Sequence, residues 1–152
     1  MSNTQAMCTS FMEQLLTGTH NFTPSTGDTF KAALYLASAT VNASTTAYSA
    51  TGEVSGTNYS PGGVSVTNAT APASTNTSST AGTAYWTPSA SITYTSVTLT
   101  TAFDCVLIYN STQSNKAVSV HTFGSQTVTA GTFTLTMPSN TTSTALLRLA
   151  TT

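Results

Sequence analysis

The chain is predicted to be all-β, a single β-sandwich or jelly-roll-like domain with one short N-terminal helix. Three observations carry that reading. Apolar residues recur at helical spacing only near the N-terminus, and at a spacing of two from about residue 30 onward. Turn-forming residues interrupt the alternating segments roughly every 8 to 12 positions, the rhythm of sandwiches and jelly-rolls. The 39% of residues that are apolar fall in short runs rich in Val, Ile, Leu, Tyr and Phe, and 152 residues are enough to bury one core.

Residues 1–20 predict an amphipathic helix of about three turns. Ser2 and Gln5 stand at capping-box spacing, Met7, Cys8, Phe11, Met12, Leu15 and Leu16 form the apolar stripe, and Gly18 supplies a left-handed stop. So short a helix is marginal alone and must dock its stripe, either on its own sheet or on a neighbouring subunit. The candidate interface residues are therefore Met7, Phe11, Met12, Leu15 and Leu16.

Residues 28–152 predict the β-sandwich domain. Phe30, Ala32, Leu34 and Leu36 alternate with Lys31, Ala33 and Tyr35, giving a strand with one strongly apolar face. Ser60-Pro61-Gly62-Gly63 is a turn, Val64 to Thr67 a short strand, and a polar stretch of small residues around 71–82 an exposed loop. Trp86, just before Pro88, is expected to fold back onto the core. Ile92 to Leu99 predicts a strand whose change of parity between Tyr94 and Val97 marks a bulge. Phe103 to Tyr109 is apolar on both parities apart from Asp104, the mark of a strand covered on both sides. Ser111 to Asn115 predicts a turn, Val118 and Val120 a strand, Gly124-Ser125 another turn, and Phe133, Leu135 and Met137 a strand with Thr132, Thr134 and Thr136 facing solvent. Thr144 to Leu149 closes the sequence.

Charge is the unusual feature. Only 5% of residues are Asp, Glu, Lys or Arg, with a net charge of −1, against about 25% charged residues in ordinary domains. No basic stripe is present to neutralise phosphates, so nucleic acid is not an expected partner. No apolar run approaches the roughly 18 residues of a membrane span, and Met1 to Ser10 lacks the basic and apolar regions of a signal peptide, which predicts synthesis in a cytoplasm. A near-neutral surface of hydroxyls and amides favours association, so a homo-oligomer is expected.

The residue types that carry catalysis do not form a readable constellation. Cys8 and Cys105 have no Cys or His at metal-ligand spacing and read as small buried hydrophobes, so neither metal nor cofactor is expected. His20 follows the helix stop and His121 sits in a strand; both read as structural. Glu13, Asp28, Glu53 and Asp104 make no close pair for acid and base work. Asp104, set in so apolar a strand, is expected to ion-pair with Lys31, Lys116 or Arg148. The expectation is a protein that is not an enzyme.

Four segments carry a resemblance: Cys8-Thr-Ser-Phe-Met-Glu-Gln-Leu-Leu-Thr-Gly-Thr-His20, Asp28-Thr-Phe-Lys-Ala-Ala-Leu-Tyr35, Gly52-Glu-Val-Ser-Gly-Thr-Asn-Tyr-Ser-Pro-Gly-Gly63 and Ala117-Val-Ser-Val-His-Thr-Phe-Gly124. In layout the chain resembles the small structural proteins of tailed bacteriophage virions. The resemblance implies a capsid cement or decoration protein, made in the host cytoplasm and carried in the virion. Such a protein stabilises the head by binding the major capsid protein, as a homo-oligomer that local capsid symmetry would make a trimer. Alternatives are a tail adaptor or fibre-associated virion protein, and a glycan-binding adhesive module. Cement proteins occur in hundreds of copies per particle and tail parts in a handful.

Overall fold

Two long strands joined by a tight turn organise the molecule. The computed structural model describes residues 2–76 and 81–151. Along the chain lie β1 (Ala6–Met7), α1 (Thr9–Leu16), β2 (Phe30–Leu36), β3 (Val64–Ser65), β4 (Ala73–Ser74), β5 (Thr83–Trp86), β6 (Ile92–Asn110), β7 (Lys116–Leu135) and β8 (Leu147–Ala150). They form a five-stranded sheet of order β1-β7-β6-β2-β3 and a three-stranded sheet of order β4-β5-β8, antiparallel throughout. The fold is all-β and sandwich-like with one short helix, the class that the periodicity predicts.

Four strands are expected between residues 92 and 137; two are found. The turn at Ser111 to Asn115 is a true reversal, with Ser114 and Asn115 in the left-handed region at φ 54° and 59°. Gly124-Ser125 is not a turn. It lies inside β7, where the partner strand continues to offer hydrogen bonds and the chain kinks without reversing. The pairing of β6 with β7 shifts register at Tyr94/Val97, Val97/Leu99, Leu99/Phe103 and Phe103/Cys105, and again near the turn at Ile108/Tyr109. The expected bulge after Tyr94 is the first of these. Each shift leaves a residue unpaired and increases local twist, so a cluster of them bends a ribbon sharply.

The bend makes the second layer. Phe103 and Phe133 meet edge to face at 5.0 Å between ring centroids, and the Tyr94 hydroxyl donates to the Ala32 carbonyl in β2 at 2.8 Å. The distal half of the ribbon, around Ile92–Leu99 and Val128–Leu135, thus lies over its own proximal half and β2. Phe30, Leu34, Tyr94, Val97, Leu99, Phe103 and Leu107 belong to the core, all nearly inaccessible to solvent. Full burial of such side chains stabilises by about 1.5–3 kcal/mol each before chain entropy is counted.

β2 departs from the one-sided strand that its alternation predicts. Ala32, Ala33, Leu34 and Tyr35 are all buried, because the following loop covers the second face: the Tyr35 hydroxyl donates to the Ser49 carbonyl, and Val54 N donates to Leu34 O at 3.0 Å. The Ser60 to Gly63 turn ends that loop. Gly63, at φ 72°, sits so close to β2 that a side chain would collide with the Ala32 carbonyl.

The N-terminal helix is shorter than its stripe suggests. Cys8 is the N-cap and makes no side-chain capping bond, so Ser2 and Gln5 do not form the expected box. Ala6 and Met7 instead pair with Val120 and Ser119 of β7, whose edge satisfies backbone groups that a first helical turn would leave open. The C-terminal stop is as expected. Gly18 stands at φ 67°, Gly18 N donates to Leu15 O at 3.2 Å and Thr19 N to Gln14 O at 2.9 Å, which is a Schellman closure.

The expected loop around 71–82 is partly a strand. Ala73 and Ser74 pair with Tyr85 and Ala84, while 77–80 lie outside the described residues. Trp86 folds back as expected. Its ring meets Phe22 at 4.8 Å, and its indole N–H donates to Asn68 Oδ1 and Thr70 O, both at 3.1 Å.

Candidate functional site

The five candidate interface residues separate into three environments. Phe11 is buried, with its ring 4.9 Å from that of His20 and 6.0 Å from that of Phe22. Leu15 is half-buried beside it. Met7, being in β1, faces a different groove of about 430 Å³ between β1 and β8, together with Gln5, His121 and Arg148. Met12 and Leu16 remain on the surface, 43% and 89% exposed. The helix therefore spends one side of its stripe on its own domain and presents the rest to solvent.

Beside that exposed edge runs an apolar groove of about 250 Å³, walled by Phe11, Leu15, Phe22, Trp86, Leu147 and Leu149. Leu149 is itself 42% exposed. Helix and second sheet form the two walls, so the groove and the exposed Met12, Leu16 and Leu149 belong to one end of the molecule. Phe22, Trp86 and Leu149 were not among the expected interface residues. They come from three distant segments, and no local pattern ties them to the helix.

A polar network fixes the helix to the turn of the long ribbon. Asn110 is fully buried and uses every hydrogen-bonding position it has. Its Nδ2 donates to Asp28 Oδ2 at 2.7 Å and to His20 Nδ1 at 2.9 Å, and its Oδ1 accepts from Thr112 N at 3.1 Å and Gln113 N at 3.2 Å. The amide orientation makes His20 Nδ1 the acceptor, so Nε2–H donates to Gln14 Oε1 at 2.7 Å. Burial lowers the His20 pKa; Asp28 pulls it up and Lys116 down, with the net result below the ordinary value. For Asp28 burial pushes upward, but hydrogen bonds from Asn110, Asn21 and Gln113 outweigh it and hold the carboxyl below the usual range. The charge is anchored without an ion pair.

Glu53 does the same for the loop over β2. Its carboxylate accepts from the Tyr48 hydroxyl at 2.6 Å, the Tyr59 hydroxyl at 2.8 Å and Gly62 N at 2.8 Å. The Tyr59 oxygen accepts in turn from Leu34 N at 2.9 Å, and the Tyr109 hydroxyl donates to Gly62 O at 2.7 Å. Burial first, with the nearby Glu53 charge adding to it, pushes the Tyr48 phenol up to about 12. Each phenol is held as a donor, and the cluster acts as a structural clasp.

Asp104 corrects another expectation. Its partner is Asn3, whose Nδ2 donates to Asp104 Oδ1 at 2.6 Å and to Leu36 O at 3.0 Å while its Oδ1 accepts from Val41 N at 3.0 Å. The amide reaches from the N-terminal arm to the strand, satisfies the carboxylate and avoids burying a second charge. Both cysteines are free and buried, and desolvation pushes Cys8 up to about 11 and Cys105 up to about 12, which keeps both thiols protonated.

Ser119 Oγ lies 2.9 Å from His121 Nε2 on β7, among the described residues the one serine and histidine contact with the geometry of a nucleophile and base. Ser119 is 1% exposed, lies with His121 in the lining of the groove between β1 and β8, and burial holds the His121 pKa down at about 4. The pair is a part-buried hydrogen bond along one face of the strand. Among the described residues no group of three or more His, Cys, Asp and Glu side chains gathers at metal-binding distance, and no helix is long and apolar enough to cross a membrane. Comparison with family models, curated proteins and solved structures finds no match.

Proposed function

We propose that the chain is a non-enzymatic structural protein of a bacteriophage particle, a capsid cement or decoration protein that stabilises the head by binding the major capsid protein. The observation that supports this reading most directly is the apolar end of the molecule. Met12, Leu16 and Leu149 stand exposed around the groove lined by Leu15, Phe22 and Trp86, on a protein with only 5% charged residues. Burial of aliphatic side chains gives such a contact its strength, and hydroxyls around it form a wet rim that costs little to desolvate. A homo-oligomer is part of the same proposal, since little net charge keeps copies apart.

Quantitative mass spectrometry of separated head and tail fractions of purified virions tests the proposal. Hundreds of copies per head support the cement role. A handful of copies in the tail fraction supports the adaptor or fibre-associated alternative, and absence from both fractions overturns a virion role.

A further inference from the structure

β7 has one bare edge. On one side it pairs with β6; on the other, β1 reaches only Val120 and Ser119. From Thr122 to Leu135, among the described residues, no further strand and no backbone hydrogen bond from another segment meets that outer edge. The outer edge of β6 in the same layer is met at Ser96 and Thr98: Thr98 N donates to Thr57 O at 3.0 Å, and Asn58 Nδ2 donates to Ser96 O at 2.9 Å.

Bare edges in monomers are ordinarily blocked by charge, proline or bulges. Between Lys116 and Arg148 there is no Asp, Glu, Lys or Arg, and the first proline after Lys116 is Pro138. Bulges distort the middle of β7, but Phe133, Thr134 and Leu135 pair with Tyr94, Thr93 and Ile92 without a register shift. On the solvent face Thr132, Thr134 and Thr136 are exposed; on the inner face Phe133, Leu135 and Met137 are half-buried. A groove of about 210 Å³, lined in part by Phe123, Leu135, Met137 and Leu146, lies against this stretch.

We propose that the edge around Thr134 pairs antiparallel with the same edge of a second copy of this chain across a two-fold axis. In such a pairing each segment meets its own copy, so a charged residue near the axis would face its like; this stretch carries none. The free backbone groups gain partners, the threonines continue as one hydroxyl row, and the half-buried inner residues extend the core across the junction. The inference rests on the structural role proposed above, and it gives the oligomer a two-fold order where capsid symmetry alone suggests a trimer.

The test is sedimentation velocity of the purified protein over a concentration series, beside the double variant Thr132→Lys/Thr134→Lys. Both positions are exposed, and unchanged circular dichroism and Tm establish that the variant folds. The expected result is a wild-type dimer and a variant whose dimer dissociates at least tenfold more readily, with partial recovery in high salt as the repulsion is screened. A wild-type monomer at all concentrations, a trimer, or a dimer that survives the double substitution overturns the proposal. So does a monomer whose binding to particles the double variant abolishes, since the edge would then serve another virion protein. A dimer sensitive to the double variant but absent from virions upholds the edge and overturns the virion role.

Discussion

Phe123 and Phe133 lie on the same strand, yet their ring centroids are 5.3 Å apart. On a straight strand rising about 3.3 Å per residue they would be about 33 Å apart. Their contact, with Phe103 between the layers, measures how completely the ribbon folds back. Phe133→Ala should therefore cost about 2–4 kcal/mol, while Thr132→Ala on the solvent face should stay within about 0.5 kcal/mol. Urea unfolding of the two variants checks this; equal small losses would mean that the two layers are not held by this contact.

Asn110 links His20, Asp28 and two backbone amides, so the cost of replacing it by an acid depends on pH. Asn110→Asp puts a second carboxyl against Asp28 in a buried site where both cannot ionise without cost. The variant should lose about 2–4 kcal/mol near pH 7 and regain part of that as the pH falls and one carboxyl takes up a proton. A variant whose deficit, measured by thermal unfolding, is the same at pH 7 and pH 5 would show that the two groups do not share the site.

Burial holds His121 at about 4, and His20 is also lowered. Unfolded, a histidine takes up its proton near pH 6.5. Between about pH 6.5 and 4 the unfolded chain binds more protons, so stability rises with pH there: it is fully present above 6.5, is lost as the pH falls, and levels off below about 4 for this group. The His121 shift corresponds to about 3 kcal/mol at most, since the ring is only partly enclosed. Tm should fall from pH 7 to pH 4, and His121→Gln should remove most of that slope. A wild-type Tm flat across the window would contradict the assignment.

Two residues of one helix should respond in opposite ways. Phe11→Ala removes a ring from the core and should cost about 3–5 kcal/mol in the isolated protein. Leu16→Glu, at a site 89% exposed, should leave Tm nearly unchanged and weaken attachment to particles at least tenfold. Normal particle binding by Leu16→Glu would remove this surface from the proposed interface.

Local chemistry was sufficient for the class of fold and many of its elements. The spacing of Phe30 to Leu36, the change of parity after Tyr94, the turn at Ser111 to Asn115 and the stop at Gly18 each depend on neighbours a few positions away, and each stands where the pattern puts it. Periodicity also put Phe11 and Leu15 on a docking stripe, but without separating them from Met12 and Leu16, which stay exposed. It could not say that Met7 would leave the helix for β7, or that Gly124-Ser125 would bend a strand without ending it, because both outcomes depend on backbone partners distant in sequence. Partner choice was equally hidden: Asp104 is met by Asn3, and Asp28 by Asn110, amides that carry no charge to announce them. The groove between Leu15, Trp86 and Leu149 exists only where the helix meets the second sheet, and the bare edge at Thr134 only where a bulged ribbon folded over itself, arrangements set by contacts across the whole chain.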